Sequence, residues 1–72
     1  MSYRLTIEYQ VEGDSSYIKK MDKMADKLAG CESVASGCFL PTKTRDLEYE
    51  FDTAKERSTA KKKLKEAGFN VL

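Results

Sequence analysis

Residues 46 to 72 constrain the fold most, because this stretch combines a strand pattern with a helix marked at both ends. Apolar residues alternate with acidic ones from Asp46 to Phe51, a period of two that predicts a half-buried strand. Thr53 stands three residues before Glu56, so its hydroxyl can accept from the Glu56 amide while the Glu56 carboxylate accepts from the Thr53 amide. This capping box predicts that a helix begins directly after the strand.

The end of that helix is marked as well. Gly68 can take the left-handed conformation that closes a helix, and Phe69 then falls where a closing motif packs an apolar side chain onto Leu64. The sequence therefore predicts a helix from about Ala54 to Ala67. The tail, residues 70 to 72, can supply one more short strand.

The first third of the chain has the same order of strand and helix. Apolar residues alternate with polar ones between Tyr3 and Val11, which predicts a strand that Gly13 ends. A helix closed by Gly30 follows, with N-cap candidates Asp14, Ser15 and Ser16 and an apolar face of Tyr17, Ile18, Met21, Met24, Ala25 and Leu28.

The middle segment, Cys31 to Leu40, is rich in Val, Phe and Cys but is interrupted by Gly37. It predicts a strand with a bulge or bend near Ser36 and Gly37, and Pro41 to Thr44 predict the turn into the next strand. The order of elements is then strand, helix, strand, strand, helix and short strand. We therefore predict an α+β fold, a ferredoxin-like βαββαβ sandwich forming a single domain over residues 1 to 72, with both helices on one face of an antiparallel sheet.

The predicted core lies between the sheet and the helices. Its members are Leu5, Ile7, Val11, Met21, Leu28, Leu47, Phe51, Leu64 and Phe69. Tyr3, Tyr9 and Tyr49 fall on the same face of their strands, which favours a core role over base stacking. The second strand is an open edge in this arrangement, and pairing of two chains through Val34 to Leu40 would give a homodimer.

Length and composition restrict the classes of function. A chain of 72 residues has no room for a deep catalytic cleft, and with 13 Lys plus Arg against 12 Asp plus Glu it has no overall charge that would draw it to nucleic acid or membrane. The absence of His leaves no ready general base and no imidazole ligand. We predict no catalytic residues, no metal site, no cofactor and, without 18 consecutive apolar residues, no membrane span.

Cys31 and Cys38 are the only cysteines. If both lie on one extended segment, seven residues place them about 23 Å apart, whereas a disulfide needs about 6 Å between Cα atoms. Free thiols favour a reducing, cytoplasmic location. Each thiol is either a small core or edge side chain or a reactive group, and the first interpretation is favoured.

Several segments together resemble the layout of heavy-metal-associated domains, namely Leu28 to Val34, Tyr49, Asp52 to Ser58 and Glu66 to Val71. The resemblance implies a ferredoxin-like fold. That family binds a soft metal with a Met-x-Cys-x-x-Cys loop between the first strand and the first helix, but the loop here, Gly13 to Tyr17, has no thiol, so the metal site does not carry over. A weaker similarity, to the ribonuclease E regulator family, rests on an aromatic strand, a charged helix and the Ala-Gly-Phe-x-Val ending.

Charge is distributed unevenly between the predicted faces. Basic residues recur at every fourth position of both helices, opposite the apolar side, whereas acidic residues lie on the open side of the sheet. The candidate phosphate-binding residues are Lys55, Arg57, Lys61, Lys62 and Lys65, and the candidate protein-binding residues are Glu8, Asp46, Glu48 and Glu50. The simplest interpretation of the lysines is a solvated face that keeps a small protein soluble.

Two classes of function stay open. The favoured hypothesis is a non-enzymatic interaction module, a regulator or inhibitor that docks its acidic sheet face or its open edge on a larger protein. An inhibitor of phage or mobile-element origin would be one instance. The alternative is binding of nucleic acid, without sequence preference, through the basic helix faces.

Overall fold

The computed structural model describes residues 2 to 39 and 41 to 72. The elements are β1 (Tyr3–Gln10), α1 (Ser15–Ala29), β2 (Ala35–Phe39), β3 (Thr44–Phe51), α2 (Ala54–Glu66) and β4 (Asn70–Val71). The strands form an antiparallel sheet in the order β2-β3-β1-β4. The predicted α+β class and the predicted order of elements are confirmed.

The core lies on one face of this sheet, and both helices cover that face. The alternation along β1 and β3 turns their odd-numbered side chains inward, where they meet Ala25 of α1 and Ala60 and Leu64 of α2. The buried residues are Leu5, Ile7, Tyr9, Ala25, Leu47, Tyr49, Phe51, Ala60, Leu64 and Phe69.

Most of the predicted core residues are buried, and the others lie at its border. Val11, Met21 and Leu28 are partly buried against the cluster. Tyr3 and Met24, which the sequence also places inward, are 39% and 38% exposed. Tyr3 lies at the first position of β1, at the border of the region that the helices cover.

The helices begin at the predicted caps. The Asp14 carboxylate accepts from the Ser16 amide at 3.0 Å and opens α1, and the Thr53 hydroxyl accepts from the Glu56 amide at 3.1 Å and opens α2. One half of the predicted capping box differs, since the Glu56 carboxylate accepts from the Thr53 hydroxyl, at 3.2 Å, where the sequence predicts the Thr53 amide.

The end of α2 agrees with the predicted closing motif. Gly68 has a φ of 100°, the Phe69 amide donates to the Leu64 carbonyl at 3.1 Å, and the Gly68 amide donates to the Lys65 carbonyl at 3.1 Å. Phe69 and Leu64 belong to the same buried cluster. The reversal after α2 therefore delivers the chain to β4.

The second strand differs from its prediction. It begins at Ala35 rather than at Cys31, and its pairing with β3 runs one to one from Ala35 to Phe39, without the bulge expected near Ser36 and Gly37. Gly37 lies opposite Asp46, and a Cβ there would meet the Asp46 Oδ1 at 3.3 Å. Glycine thus permits a close approach in a regular strand. Leu40, included in the predicted edge, lies outside the described residues.

One sheet edge is completed by a side chain. β4 is short, and the Leu72 amide donates to the Thr6 carbonyl of β1 at 2.9 Å. The next carbonyl along that edge, that of Arg4, accepts from Nε of Arg57 at 2.6 Å. Arg57 of α2 therefore takes the place of a main-chain donor from a neighbouring strand.

Cys31 lies in the connection from α1 to β2, whereas Cys38 lies within β2, and both are free thiols. The distance predicted from the sequence assumes that both cysteines lie on one extended segment. In the structure only Cys38 is in a strand. Across the two described ranges, no helix is both long enough and apolar enough to cross a membrane.

Candidate protein-binding surface

The side of the sheet turned away from the helices, here called the open face, is built by the even-numbered residues of β1 and β3 and by their partners. Its rows, read across the strands, are Phe39, Thr44 and Gln10; Gly37, Asp46, Glu8 and Asn70; Ala35, Glu48 and Thr6; and Glu50 and Arg4. The strand pairing thus brings all four predicted acidic residues into adjacent rows. With Arg4 as the one cation in these rows, the net charge of the open face is negative.

Arg4 neutralises one part of the open face. Its Nη1 lies 3.0 Å from Oε1 of Glu48 and its Nε lies 3.1 Å from Oε1 of Glu50. The Arg4 side chain is 65% exposed, so each pair contributes at most about 1 kcal/mol to stability. Sequence reasoning did not connect Arg4 with these carboxylates, because the connection depends on the pairing of β1 with β3.

Glu8 and Asp46 lie directly opposite each other at the centre of the open face. Glu8 accepts a hydrogen bond from Nδ2 of Asn70 at 2.8 Å, and Asp46 is exposed beside Gly37. Within residues 2 to 39 and 41 to 72, the salt bridges engage neither carboxylate. Like charges in directly opposed cross-strand positions destabilise a sheet, and here one of the two carboxylates has a neutral donor but the salt bridges reach neither.

The two carboxylates of this row are acceptors suited to a basic side chain. The described residues hold no group of three or more Asp, Glu, Cys or His side chains that could enclose a metal ion. Two carboxylates on a sheet face can instead accept from the guanidinium or ammonium group of a partner. Phe39, at the edge of the same face, is 58% exposed and offers an apolar contact beside the charges.

The predicted phosphate-binding residues do not form one cluster. Lys61 and Lys65 line a groove beside β4, whereas Lys55 lines a different cleft of about 500 Å³ between the end of α1 and the start of α2. Lys62 is exposed on α2. Arg57 is half-buried and engaged with the Arg4 carbonyl, so it is less available to a phosphate than the lysines are.

Two aspartates of α1 fix this helix to the sheet, and sequence reasoning missed both. Asp22 accepts from the Tyr9 hydroxyl and also from Arg45, whose Nη2 lies 2.8 Å from Oδ2 of Asp22. Asp26 accepts from the Tyr49 hydroxyl at 2.7 Å. The available signal was their separation of four residues, which places two carboxylates on one side of a lysine-rich helix.

This network changes the acidity of its members. Burial, followed by the hydrogen bonds to Asp22 and Asp26, raises the pKa of the Tyr9 and Tyr49 phenols above the usual value. The hydrogen bond to Asp22 likewise raises the pKa of Arg45. Both phenols therefore stay protonated over the ordinary pH range and act as fixed donors.

The thiols have different surroundings. Burial, with the charges of Asp26 and Glu56, raises the pKa of Cys31, which keeps it in the weakly nucleophilic thiol form. Cys38 is exposed, and its Sγ accepts from Nη1 of Arg45 at 3.1 Å. Neither arrangement supplies a base that would activate a nucleophile.

No protein-family model matches the chain, and no curated protein or solved structure matches it either.

Proposed function

We propose that this protein is a small non-enzymatic interaction module that docks its open face on a basic surface of a larger protein and thereby regulates or inhibits it. The observation that carries the proposal is the pair Glu8 and Asp46 at the centre of that face, which the salt bridges of the described residues do not engage. A destabilising charge pair on an exposed sheet is understandable if a partner supplies the missing cations. The free thiols favour the cytoplasm as its location.

We also propose that the fold is ferredoxin-like and forms a single domain. The strand order β2-β3-β1-β4 and the placement of both helices on one face of the sheet support this assignment. The similarity to heavy-metal-associated domains is then one of fold, because the loop between β1 and α1 lacks their thiols. An open sheet face is the surface that this arrangement leaves for a partner.

Neutralising the pair with the variant Glu8→Gln/Asp46→Asn should stabilise the isolated protein and weaken its binding. Removing the repulsion should raise the free energy of unfolding by about 0.2 to 1 kcal/mol, measured by urea denaturation. The Glu8→Gln change retains a side-chain oxygen that can accept from Asn70. Binding is compared by capture from nuclease-treated lysate on immobilised wild type, on this variant and on Lys61→Gln/Lys62→Gln/Lys65→Gln.

The expected result is a protein that wild type and the lysine variant capture and that the Gln/Asn variant does not. The lysine variant is the control, because it changes charge at exposed side chains of α2, away from the open face. Equal capture by all three proteins would show that the open face does not carry the interaction. A variant that binds less and is also less stable would point to a structural role for the carboxylates.

Nucleic-acid binding is the second candidate, and the exposed lysines of α2 favour it. The salt bridges in the described parts of the chain involve arginines, and they leave Lys61, Lys62 and Lys65 available to phosphates. If these lysines bind phosphates, the Lys61→Gln/Lys62→Gln/Lys65→Gln variant should lose affinity. The dependence of log K on log salt should become shallower by about one unit for each lost contact.

We expect ordinary DNA or RNA to bind only weakly, so a gel-shift at physiological salt should not saturate below about 1 μM protein. A gel-shift that saturates below that concentration with wild type, and fails with the lysine variant, would favour nucleic acid over a protein partner. The Gln/Asn variant serves as the control, because its changes lie on the opposite side of the sheet from α2.

A further inference from the structure

The outer edge of β2 lacks the features that usually prevent edge strands from pairing. Its five residues, Ala35 to Phe39, include no charged residue and no proline, and their pairing with β3 is regular. Ser36 and Cys38 are exposed along the strand, and Phe39 is exposed at its end. An unguarded edge of this kind is a template for another strand.

The sheet fixes which main-chain groups point outward from β2. The Val11 amide donates to the Lys43 carbonyl at 2.7 Å, so odd-numbered residues of β1 and β3 bond to each other and even-numbered residues of β3 turn toward β2. Ala35, Gly37 and Phe39 pair with those even-numbered residues. The N–H and C=O groups of Ser36 and Cys38 therefore point away from the sheet.

We propose that two copies of this chain pair antiparallel through β2, with Gly37 opposite Gly37 of the second copy, and form a continuous eight-stranded sheet. In this register, Ser36 of each copy lies opposite Cys38 of the other, so the outward main-chain groups pair with one another. Phe39 lies opposite Ala35, a large side chain against a small one on the open face. The interface is self-complementary, as a two-fold axis requires.

The charges of the two copies do not oppose this pairing. The nearest carboxylates on the open face are on β3, one strand inside each edge. Asp46 of one copy and Asp46 of the second copy are then three strand spacings apart, about 14 Å. This separation exceeds the screening length of about 8 Å at physiological ionic strength.

The same register aligns the central rows of the two open faces. Gly37, Asp46 and Glu8 lie in one row across the sheet, so pairing at Gly37 makes that row continuous over both copies. The dimer then presents four carboxylates in a line, two on each side of the central pair of Gly37 residues. This step rests on the proposed function, and it specifies the partner as a basic segment long enough to engage both halves.

Sedimentation velocity tests the dimer without any partner. We expect wild type, in reductant to exclude disulfides, to pass from monomer to dimer between about 10 μM and 1 mM, because a short interface binds weakly. Ser36→Lys adds a charge to the edge. Ser36→Pro removes an outward N–H and leaves the hydrogen bonds between β2 and β3 in place. Each should raise the dissociation constant at least about tenfold, or 1.4 kcal/mol.

Ser58→Lys is the matched control, because it makes the same substitution at an exposed position of α2 and should leave the dimer intact. Circular dichroism establishes that each variant folds. A wild type that stays monomeric throughout, or a dimer that survives both Ser36 variants, would overturn the proposal. So would a dimer that dissociates when salt rises from about 0.05 to 0.5 M, since that dependence indicates acidic faces meeting basic helices.

Discussion

Replacing Leu64 with Ala is expected to lower the free energy of unfolding by about 2 to 5 kcal/mol. Leu64 is fully buried, where α2 meets the sheet, and its carbonyl also accepts the Phe69 amide that closes the helix. Truncation removes buried apolar surface and leaves a cavity between α2 and β1. A domain of this length has a total stability of about 4 to 11 kcal/mol, so the loss is a large part of it.

Urea denaturation measures this loss, and Lys62→Ala is its control. Lys62 lies two residues away on the exposed side of the same helix, so its truncation tests helix propensity and charge without opening a cavity. We expect the control to change stability by less than about 0.5 kcal/mol. A change of that size at Leu64 would mean that α2 presents a different side to the sheet.

Stability should also fall steeply above about pH 10, because two phenols are held protonated in the folded state. Their folded pKa values are raised, so the unfolded chain loses these protons first and the folded form is disfavoured as pH rises. The stability that they contribute is fully present below about pH 10. Each phenol should add a slope of about 1.4 kcal/mol per pH unit, and both together about 2.7.

Urea denaturation at pH values from about 8 to 11.5 tests this dependence. Tyr49→Phe and Tyr9→Phe should each remove about 1.4 kcal/mol per pH unit from the slope, although each also leaves an aspartate of α1 without the hydrogen bond from its tyrosine. Tyr3→Phe, at an exposed position, is the control and should keep the full slope. A wild-type stability that is constant from about pH 9 to 11.5 would show that Tyr9 and Tyr49 ionise without unfolding.

The sequence predicted those parts of the fold that depend on local chemistry. The alternation along β1 and β3, the caps at Asp14 and Thr53 and the closing glycine at Gly68 each act within a few residues, so their pattern can be read without knowing the rest of the chain.

Contacts between distant residues could not be read in this way. Arg4 meets Glu48 and Glu50 only because β1 pairs with β3 in one particular register. Asp22 and Asp26 were missed because the apolar spacing of α1 indicates its buried side but not which hydroxyls the sheet will present there. The pairing of Glu8 with Asp46 was missed for the same reason as that of Arg4, because it depends on the register of β1 and β3.

The wrong prediction of a bulge in β2 has a different cause. Glycine in a strand indicates either a bulge or a close approach of neighbouring atoms, and the sequence does not distinguish the two. At Gly37 the reason is the proximity of the Asp46 side chain, which only the pairing with β3 reveals.

If two copies pair through β2 as proposed, the contact between Arg57 and the Arg4 carbonyl limits further growth of the sheet at its other edge. A sheet with two free edges can add subunits without end, whereas a sheet with one free edge can pair once and then stops. Here a strand arriving at β1 would have to displace the guanidinium, and β4 offers only two residues, Asn70 and Val71, as a template. In the proposed dimer, replacing Arg57 would free the Arg4 carbonyl on the second edge, so that assembly would be less strictly limited to two copies.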